Sequence, residues 1–284
     1  MKKLFLLLLA VIMILPAVTV NAATKGRVLV IGSSADSLEL RDDVVASTGY
    51  FLNELTVPVM GLLDAGYEVV IATPQGNAPT MDPNSGDAAF FQNDKLALES
   101  ALNFVKTSPI VLRPIKIKDA IAGGLDKYDA VYVPGGHAPI NDLMQDKDLG
   151  KVLRYFHENN KPTAFLCHGP IATLAALDNP KAYRQALVAG DSDKLKTYGK
   201  NWQYAGYHMT IYTTAEEYGV EKFLLKGKLP FYVAEALQIA GGIVEAGQLD
   251  QCHVVRDREL ITGQNPASDR VLTYELLKAL AERS

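Results

Sequence analysis

The stretch around Cys167 constrains the fold of this chain more than any other. The apolar run 163–166 is typical of a buried strand, and Gly169-Pro170 opens an Ala/Leu-rich segment with helical periodicity. Cys167 therefore falls in a tight turn, where one side chain is displayed and the N–H groups of a helix start favour an anion. This arrangement predicts a nucleophile elbow with Cys in place of Ser, the alternative being an inert core cysteine.

Residues 1–22 have the composition of a secretory signal peptide. Lys2 and Lys3 form a positive start, residues 4–15 an apolar segment, and Val20-Asn21-Ala22 a small-residue cleavage site. The apolar run is too short for a comfortable membrane span and ends at a proline. We therefore expect export without a membrane span, to the periplasm or the extracellular space.

Cleavage is expected after Ala22, with Ala23 as the alternative, and residues 23–284 are expected to form a single domain. Removing Lys2 and Lys3 changes the formal net charge from −4 to −6. No basic cluster remains, so the composition argues against a nucleic-acid partner.

Strand-like and helix-like segments alternate along most of the chain. Strands are predicted at 27–31, 67–72 and 128–133, and helices at 55–65, 95–107, 148–159, 230–240 and 268–281. This order predicts an α/β fold, a flavodoxin-like three-layer sandwich with a mostly parallel sheet. Residues 206–213 alternate like a further strand, and a hairpin is predicted around Asp257-Arg258. Residues 178–204 look polar and irregular, and they could be an insertion that caps the site or a plain solvated excursion.

Four other positions could assist Cys167. His168 offers a backbone N–H and an imidazole, and Gly135-Gly136 offers N–H groups that a substrate oxygen can approach. Glu54, at a helix start, could lower the pKa of the thiol. Each has a structural alternative. His168 could be a hydrogen-bonded residue at a helix start, and the two glycines could form a plain turn. Glu54 could be a charge that interacts favourably with the helix dipole.

Glu216 and Glu217 follow a predicted strand, and either could orient His168. Both are also ordinary capping residues.

The remaining cysteine and the histidines leave two further questions. In an exported protein, Cys167 and Cys252 could form a disulfide, which would remove the nucleophile. The five histidines, at 137, 157, 168, 208 and 253, show no metal-ligand spacing along the chain, so no metal is expected. Phosphate-loop and dinucleotide fingerprints are absent from the sequence, and no cofactor is expected.

Several motifs together resemble the ThiJ/PfpI superfamily, the class I glutamine amidotransferase-like group. They are Gly49-Tyr-Phe-Leu-Asn-Glu54 with Pro58, Ala65-Gly66-Tyr-Glu-Val69, residues 74–83, Val133-Pro-Gly-Gly-His-Ala138, Ala164-Phe-Leu-Cys-His-Gly-Pro170 and Thr262-Gly-Gln-Asn-Pro-Ala-Ser268. Within that group the chain resembles the heat-shock chaperone/glyoxalase III branch, although an export signal is unusual there. A metal site of some relatives has no clear counterpart in residues 79–94.

The resemblance implies a role for each site residue. Cys167 would be the nucleophile, Glu54 the carboxyl group that contacts the sulfur, and His168 the partner base. The third member of the triad falls on Glu217, with Glu216 adjacent. Gly136 and the His168 backbone would hold an oxyanion.

The activity implied is glutathione-independent conversion of 2-oxoaldehydes such as methylglyoxal to D-lactate, with deglycation of proteins as a variant. A cysteine peptidase or amidase, and a holdase chaperone or redox sensor without turnover, are the alternatives. An amidotransferase fits least, because no synthase domain is visible. The expected partners are a small reactive carbonyl compound, glycated or unfolded proteins, and a second copy in a homodimer.

Overall fold

Among residues 24–283, which the computed structural model describes, seven strands form one central sheet. The strands are β1 Arg27–Ile31, β2 Ser37–Glu39, β3 Val45–Ser47, β4 Glu68–Thr73, β5 Ile115–Lys116, β6 Ala130–Val133, β7 Thr163–Leu166, β8 His208–Met209, β9 Ile243–Val244, β10 Val254–Asp257 and β11 Leu260–Gly263. The central order is β10-β11-β7-β6-β1-β4-β5. The predicted signal peptide, 1–22, lies outside the described residues.

All neighbours in the central sheet are parallel except β10 and β11, which form the predicted hairpin. Two small sheets, β2-β3 and β8-β9, lie apart from it. The predicted α/β fold with a mostly parallel sheet is confirmed.

Helices cover both faces of the sheet because its strands are apolar on both sides. In β1, Leu29 and Ile31 pack into one buried cluster, whereas Val28 and Val30 pack into another, as the two-residue period of a strand requires. The helices are α1 Leu52–Asp64, α2 Lys95–Thr107, α3 Pro109–Leu112, α4 Ile117–Ala122, α5 Lys147–Glu158, α6 Pro180–Ala189, α7 Ser192–Tyr198, α8 Thr214–Val220, α9 Val233–Ile239 and α10 Asp269–Ala281.

Three local predictions differ from the structure. Residues 178–204 are not irregular, because they contain α6 and α7. The strand predicted at 206–213 is limited to β8. The segment after Cys167, for which helical periodicity was predicted, is a 3₁₀-helix, Gly169–Ala176, and it is buried along its whole length.

Among the described residues, no helix combines the length and the apolar composition that a membrane span requires.

Candidate active site

Cys167 lies at the bend between β7 and the 3₁₀-helix. Its φ of 58° is in the left-handed region that non-glycine residues rarely adopt. The bend is held on both sides, because the Cys167 N–H donates to Gly263 O at 2.8 Å and its carbonyl accepts the Tyr212 N–H at 3.0 Å. Strain of this kind persists only where the surroundings enforce it, as in a nucleophile elbow.

Glu54 lies in the first turn of α1 and is fully buried. Pro58, four residues later, has no N–H to donate to the Glu54 carbonyl. The Tyr132 hydroxyl of β6 donates to that carbonyl instead. A proline inside α1 is thus accommodated by a bond that ties the helix start to the central sheet and fixes Glu54 against it.

The Glu54 carboxyl group contacts the thiol of Cys167. Its Oε2 accepts the Gly135 N–H at 3.0 Å, and its buried Oε1 has no nitrogen or oxygen partner among the described residues. Burial raises the pKa of Glu54 to about 8, even though the bonds from Cys167 and Gly135 oppose this shift. Glu54 is therefore mostly neutral at pH 7 and carries a proton beside the sulfur.

The two adjacent glycines, Gly135 and Gly136, have different structural roles at the site. A Cβ on Gly135 would lie 2.5 Å from Glu54 Oε2 and 2.6 Å from Cys167 Cβ, so only glycine allows the two groups to meet. The N–H of Gly135 is occupied by Glu54, which corrects its assignment to the oxyanion site. Gly136, with φ 81°, directs its N–H toward the sulfur of Cys167.

His168 connects the thiol to a carboxylate. Its Nδ1 lies 3.2 Å from Cys167 Sγ, and its Nε2 is hydrogen-bonded to Glu217 Oε1. In the neutral ring, an Nε2–H that donates to Glu217 leaves the Nδ1 lone pair facing the thiol. The side chains of Cys167, His168 and Glu217 thus form a continuous chain of the kind used in catalytic triads.

The neighbouring Glu216 has a different environment. It completes a capping box with Thr213 at the start of α8, and its carboxylate also accepts the Gln264 and Asn265 side-chain amides and the Asp250 N–H. Glu216 therefore joins α8 to the loops after β9 and β11, and Glu217 is the one that faces His168.

His137 is a residue that the sequence did not single out. Its Nε2 lies 3.2 Å from Glu217 Oε2, and its ring packs on that of His168 with centroids 4.0 Å apart. Tyr212 also packs on the His168 ring, at 4.6 Å. The two oxygens of one buried carboxylate therefore serve two histidines.

The charges in this group differ between the two rings. Burial lowers the pKa of His137, but Glu217 outweighs it and raises the net pKa. Burial and the neighbouring His137 lower the pKa of His168. Burial raises the pKa of Glu217, but the two histidines outweigh it and the net pKa is lowered. His137 is thus the ring that gains the proton more readily, and His168 stays a neutral base.

The pKa of Cys167 moves in the direction opposite to the expected one. Burial raises the pKa of the thiol, and the neighbouring carboxyl group of Glu54 raises it further, against the N–H of Gly136. The thiol therefore keeps its proton at rest, and ionisation requires its transfer to an adjacent base.

Both cysteines are free, so the disulfide alternative is wrong. Cys252 is exposed, whereas Cys167 is buried and lines a cavity of about 400 Å³.

Within residues 24–283, one group of three potential ligands, His137, His168 and Glu217, has its atoms within 4.8 Å of one another. The hydrogen bonds to Glu217 account for its geometry, and the absence of a metal stays a prediction. Linear spacing did not indicate this group, because its members come from three separate loops and helices.

A parallel α/β sheet with a cysteine elbow, a buried neutral carboxyl group and a Cys-His-Glu chain defines a class of proteins with a cysteine nucleophile. A model of the DJ-1/PfpI family matches residues 44–279. The chain belongs to this family, as the motifs predicted.

Individual relatives agree with the family assignment. The protein/nucleic acid deglycase HchA of Pseudomonas aeruginosa is 27% identical over 262 residues, covering 90% of this chain and 81% of the relative. The deglycase HchA of Staphylococcus aureus is 26% identical over 273 residues, covering 91% and 82%. The structure of glyoxalase III from Candida albicans, at 20% identity, shares the fold with a TM-score of 0.63 over 90% of this chain and 97% of its own.

Proposed function

We propose that this protein converts 2-oxoaldehydes such as methylglyoxal to 2-hydroxy acids such as D-lactate, without glutathione. The observation that carries the proposal is the meeting of Cys167, a neutral Glu54 and the His168–Glu217 pair, with Cys167 and His168 lining one cavity. Relatives named as deglycases and as glyoxalase III support it. The test is lactate formation from methylglyoxal by the purified protein in the absence of glutathione.

The reaction begins with transfer of the thiol proton to His168 Nδ1. The thiolate then adds to the aldehyde carbon, so an S–C bond forms as the C=O π bond breaks, and the oxygen gains a proton to give a hemithioacetal. The N–H of Gly136 and the backbone N–H of His168 are the proposed donors to this oxygen.

Proton transfer between the two substrate carbons completes the rearrangement. Neutral Glu54 gives its proton to the ketone oxygen and takes the proton of the carbon bonded to sulfur, which gives an enediol. It then gives that proton to the adjacent carbon and takes the hydroxyl proton from the carbon bonded to sulfur, which gives a thioester of the 2-hydroxy acid and leaves Glu54 neutral again. Water activated by neutral His168 hydrolyses the thioester and restores the thiol. The net change is addition of one water molecule. A pKa of about 8 suits Glu54 to give and take a proton near neutral pH.

The same nucleophile supports deglycation as a second activity, because early glycation adducts carry the same carbonyl carbons and the curated relatives are named protein/nucleic acid deglycases. Export through the signal peptide at 1–22, and assembly as a homodimer, stay predictions beside this proposal.

Glu217→Gln is expected to lower kcat by about a hundredfold or more, because the amide cannot fix His168 in its neutral, correctly oriented form. Glu216→Gln is the matched control, because the adjacent residue has the same chemistry and a structural set of partners. It should lower the melting temperature and leave kcat within about threefold. Equal losses of kcat in the two variants would contradict the role given to Glu217.

His137→Asn is expected to move the acid limb of the kcat/KM profile upward by roughly one pH unit. His137 lowers the pKa of His168, so without it His168 is protonated, and lost as a base, at a higher pH. The profile of His208→Asn serves as a control, because His208 is exposed and pairs with Glu245. An unmoved acid limb in His137→Asn would show that His137 does not tune His168.

A further inference from the structure

The cavity above Cys167 is larger than methylglyoxal requires. Its volume is about 400 Å³, within the range of sites that enclose drug-sized ligands. A three-carbon aldehyde bonded to the sulfur would fill a small part of that space. The residues that line the rest of the cavity therefore indicate which further chemical group the substrate has.

One part of the wall is aromatic. Phe51 precedes α1, and Phe90 belongs to the 3₁₀-helix Ala88–Phe91. Their rings meet edge to face with centroids 4.6 Å apart, and both side chains are only partly buried. They form a ready surface for a further ring, because aromatic pairs prefer offset or edge-to-face contacts.

Another part of the wall is aliphatic. Val220, Leu224 and Leu225 line the cavity from the end of α8 and the π-helix Glu221–Leu225. Turns of π-helix are rare in proteins, and those that occur are often found at functional sites. This one is anchored by Glu221, whose buried carboxylate accepts the Leu229 N–H at 2.8 Å and binds Lys228.

Two buried acidic residues on the wall are already engaged within the protein. Asp82 Oδ1 accepts the Asn84 backbone N–H at 2.9 Å, and Asp269 accepts the Asn53 side-chain amide at 2.8 Å and the Arg270 N–H at 2.6 Å. A ligand that covers the partly exposed apolar side chains of the wall removes apolar surface from water. These side chains therefore contribute most to the free energy of binding.

We propose that the site prefers 2-oxoaldehydes whose ketone carbon bears an apolar group, above all an aryl group, over methylglyoxal. This inference rests on the proposed function and names its substrate class. Phenylglyoxal would follow the same steps: Cys167 adds to the aldehyde carbon, the proton moves to the adjacent carbon, and water releases mandelate. One water molecule is consumed and no oxidant or reductant is needed.

The first test compares initial rates with phenylglyoxal and methylglyoxal. The wild-type protein should favour phenylglyoxal in kcat/KM by about tenfold or more. Phe90→Ala and Leu224→Ala should each reduce that preference by about threefold to tenfold, because phenylglyoxal loses more apolar contact than methylglyoxal does. Phe223→Ala is the matched control, because Phe223 lies beside Leu224 and is 68% exposed. Turnover of both substrates with equal kcat/KM would overturn the inference and leave the proposed function intact.

The second test separates binding from catalysis. Calorimetric titration of the wild-type protein with mandelate and with lactate should give a Kd for mandelate about tenfold lower or more, and Phe90→Ala should reduce this difference. Absence of turnover with both aldehydes, together with tighter mandelate binding, would overturn the proposed function and support the apolar specificity of the cavity. Equal Kd values for the two acids would overturn that specificity.

Discussion

Cys167→Ala is expected to reduce lactate formation from methylglyoxal by about a thousandfold or more, because the variant has no atom that can bond to the aldehyde carbon. The residual rate should match the rate measured in the same buffer with wild-type protein whose Cys167 has been alkylated. The measurement is the initial rate of lactate release, with saturating methylglyoxal and no glutathione.

Cys252→Ala is the matched control for this prediction. It removes the other thiol, which is exposed and free, and it should retain full activity. Both variants should keep a cooperative thermal transition, because Ala is close to Cys in size and Cys167 makes both of its bend-holding bonds through the backbone. Equal lactate formation by Cys167→Ala and the wild type would exclude Cys167 as the nucleophile.

Glu54→Gln is expected to lower kcat by about a hundredfold to ten-thousandfold, because the amide cannot carry a proton between the substrate carbons. Gln can still accept the Gly135 N–H through its carbonyl oxygen, so the loop should keep its position. The loss should therefore fall on kcat more than on KM, as measured in steady-state assays.

The same substitution is expected to stabilise the protein in a defined pH window. The pKa of Glu54 rises on folding from 4.5 to about 8, so the native state binds more protons than the unfolded state between these values. This contribution to stability is complete below about pH 4.5 and is lost as the pH rises to about 8. Gln does not titrate, so Glu54→Gln should gain in melting temperature relative to the wild type across that window, reaching about 5 °C or more near its upper end.

Glu99→Gln is the control for this stability prediction, since Glu99 is exposed on α2. Its melting temperature should follow that of the wild type at every pH. A Glu54→Gln variant that is less stable than the wild type near pH 8 would contradict the claim that burial disfavours the ionised form of Glu54.

Features that are contiguous in the chain were predictable. The elbow at Cys167 follows from a strand, a turn and a Gly-Pro pair within a few residues, and the α/β sheet follows from alternating segments. The helices α6 and α7 also had local signals, because Asn179 and Asp191 cap their starts and Gly190 ends α6. Those signals were outweighed by the polar composition of the segment.

Features that depend on the path of the chain were not predictable. Two histidines share Glu217 only because the loops after β6 and β7 end beside α8, and nothing in the spacing of His137 and His168 encodes that meeting. The direction of the Cys167 pKa also escaped prediction. A helix start argues for a lower value, but the burial that reverses the shift arises from packing by distant residues.

Infrared spectroscopy of Glu54 tests the central claim most directly, which is that a neutral carboxyl group lies beside the thiol of Cys167. The difference between spectra of the wild type and Glu54→Gln should contain the C=O band of a protonated carboxyl group near neutral pH, and this band should disappear as the pH passes about 8. A carboxylate band, with no protonated carboxyl group, from about pH 6 upward would contradict the account.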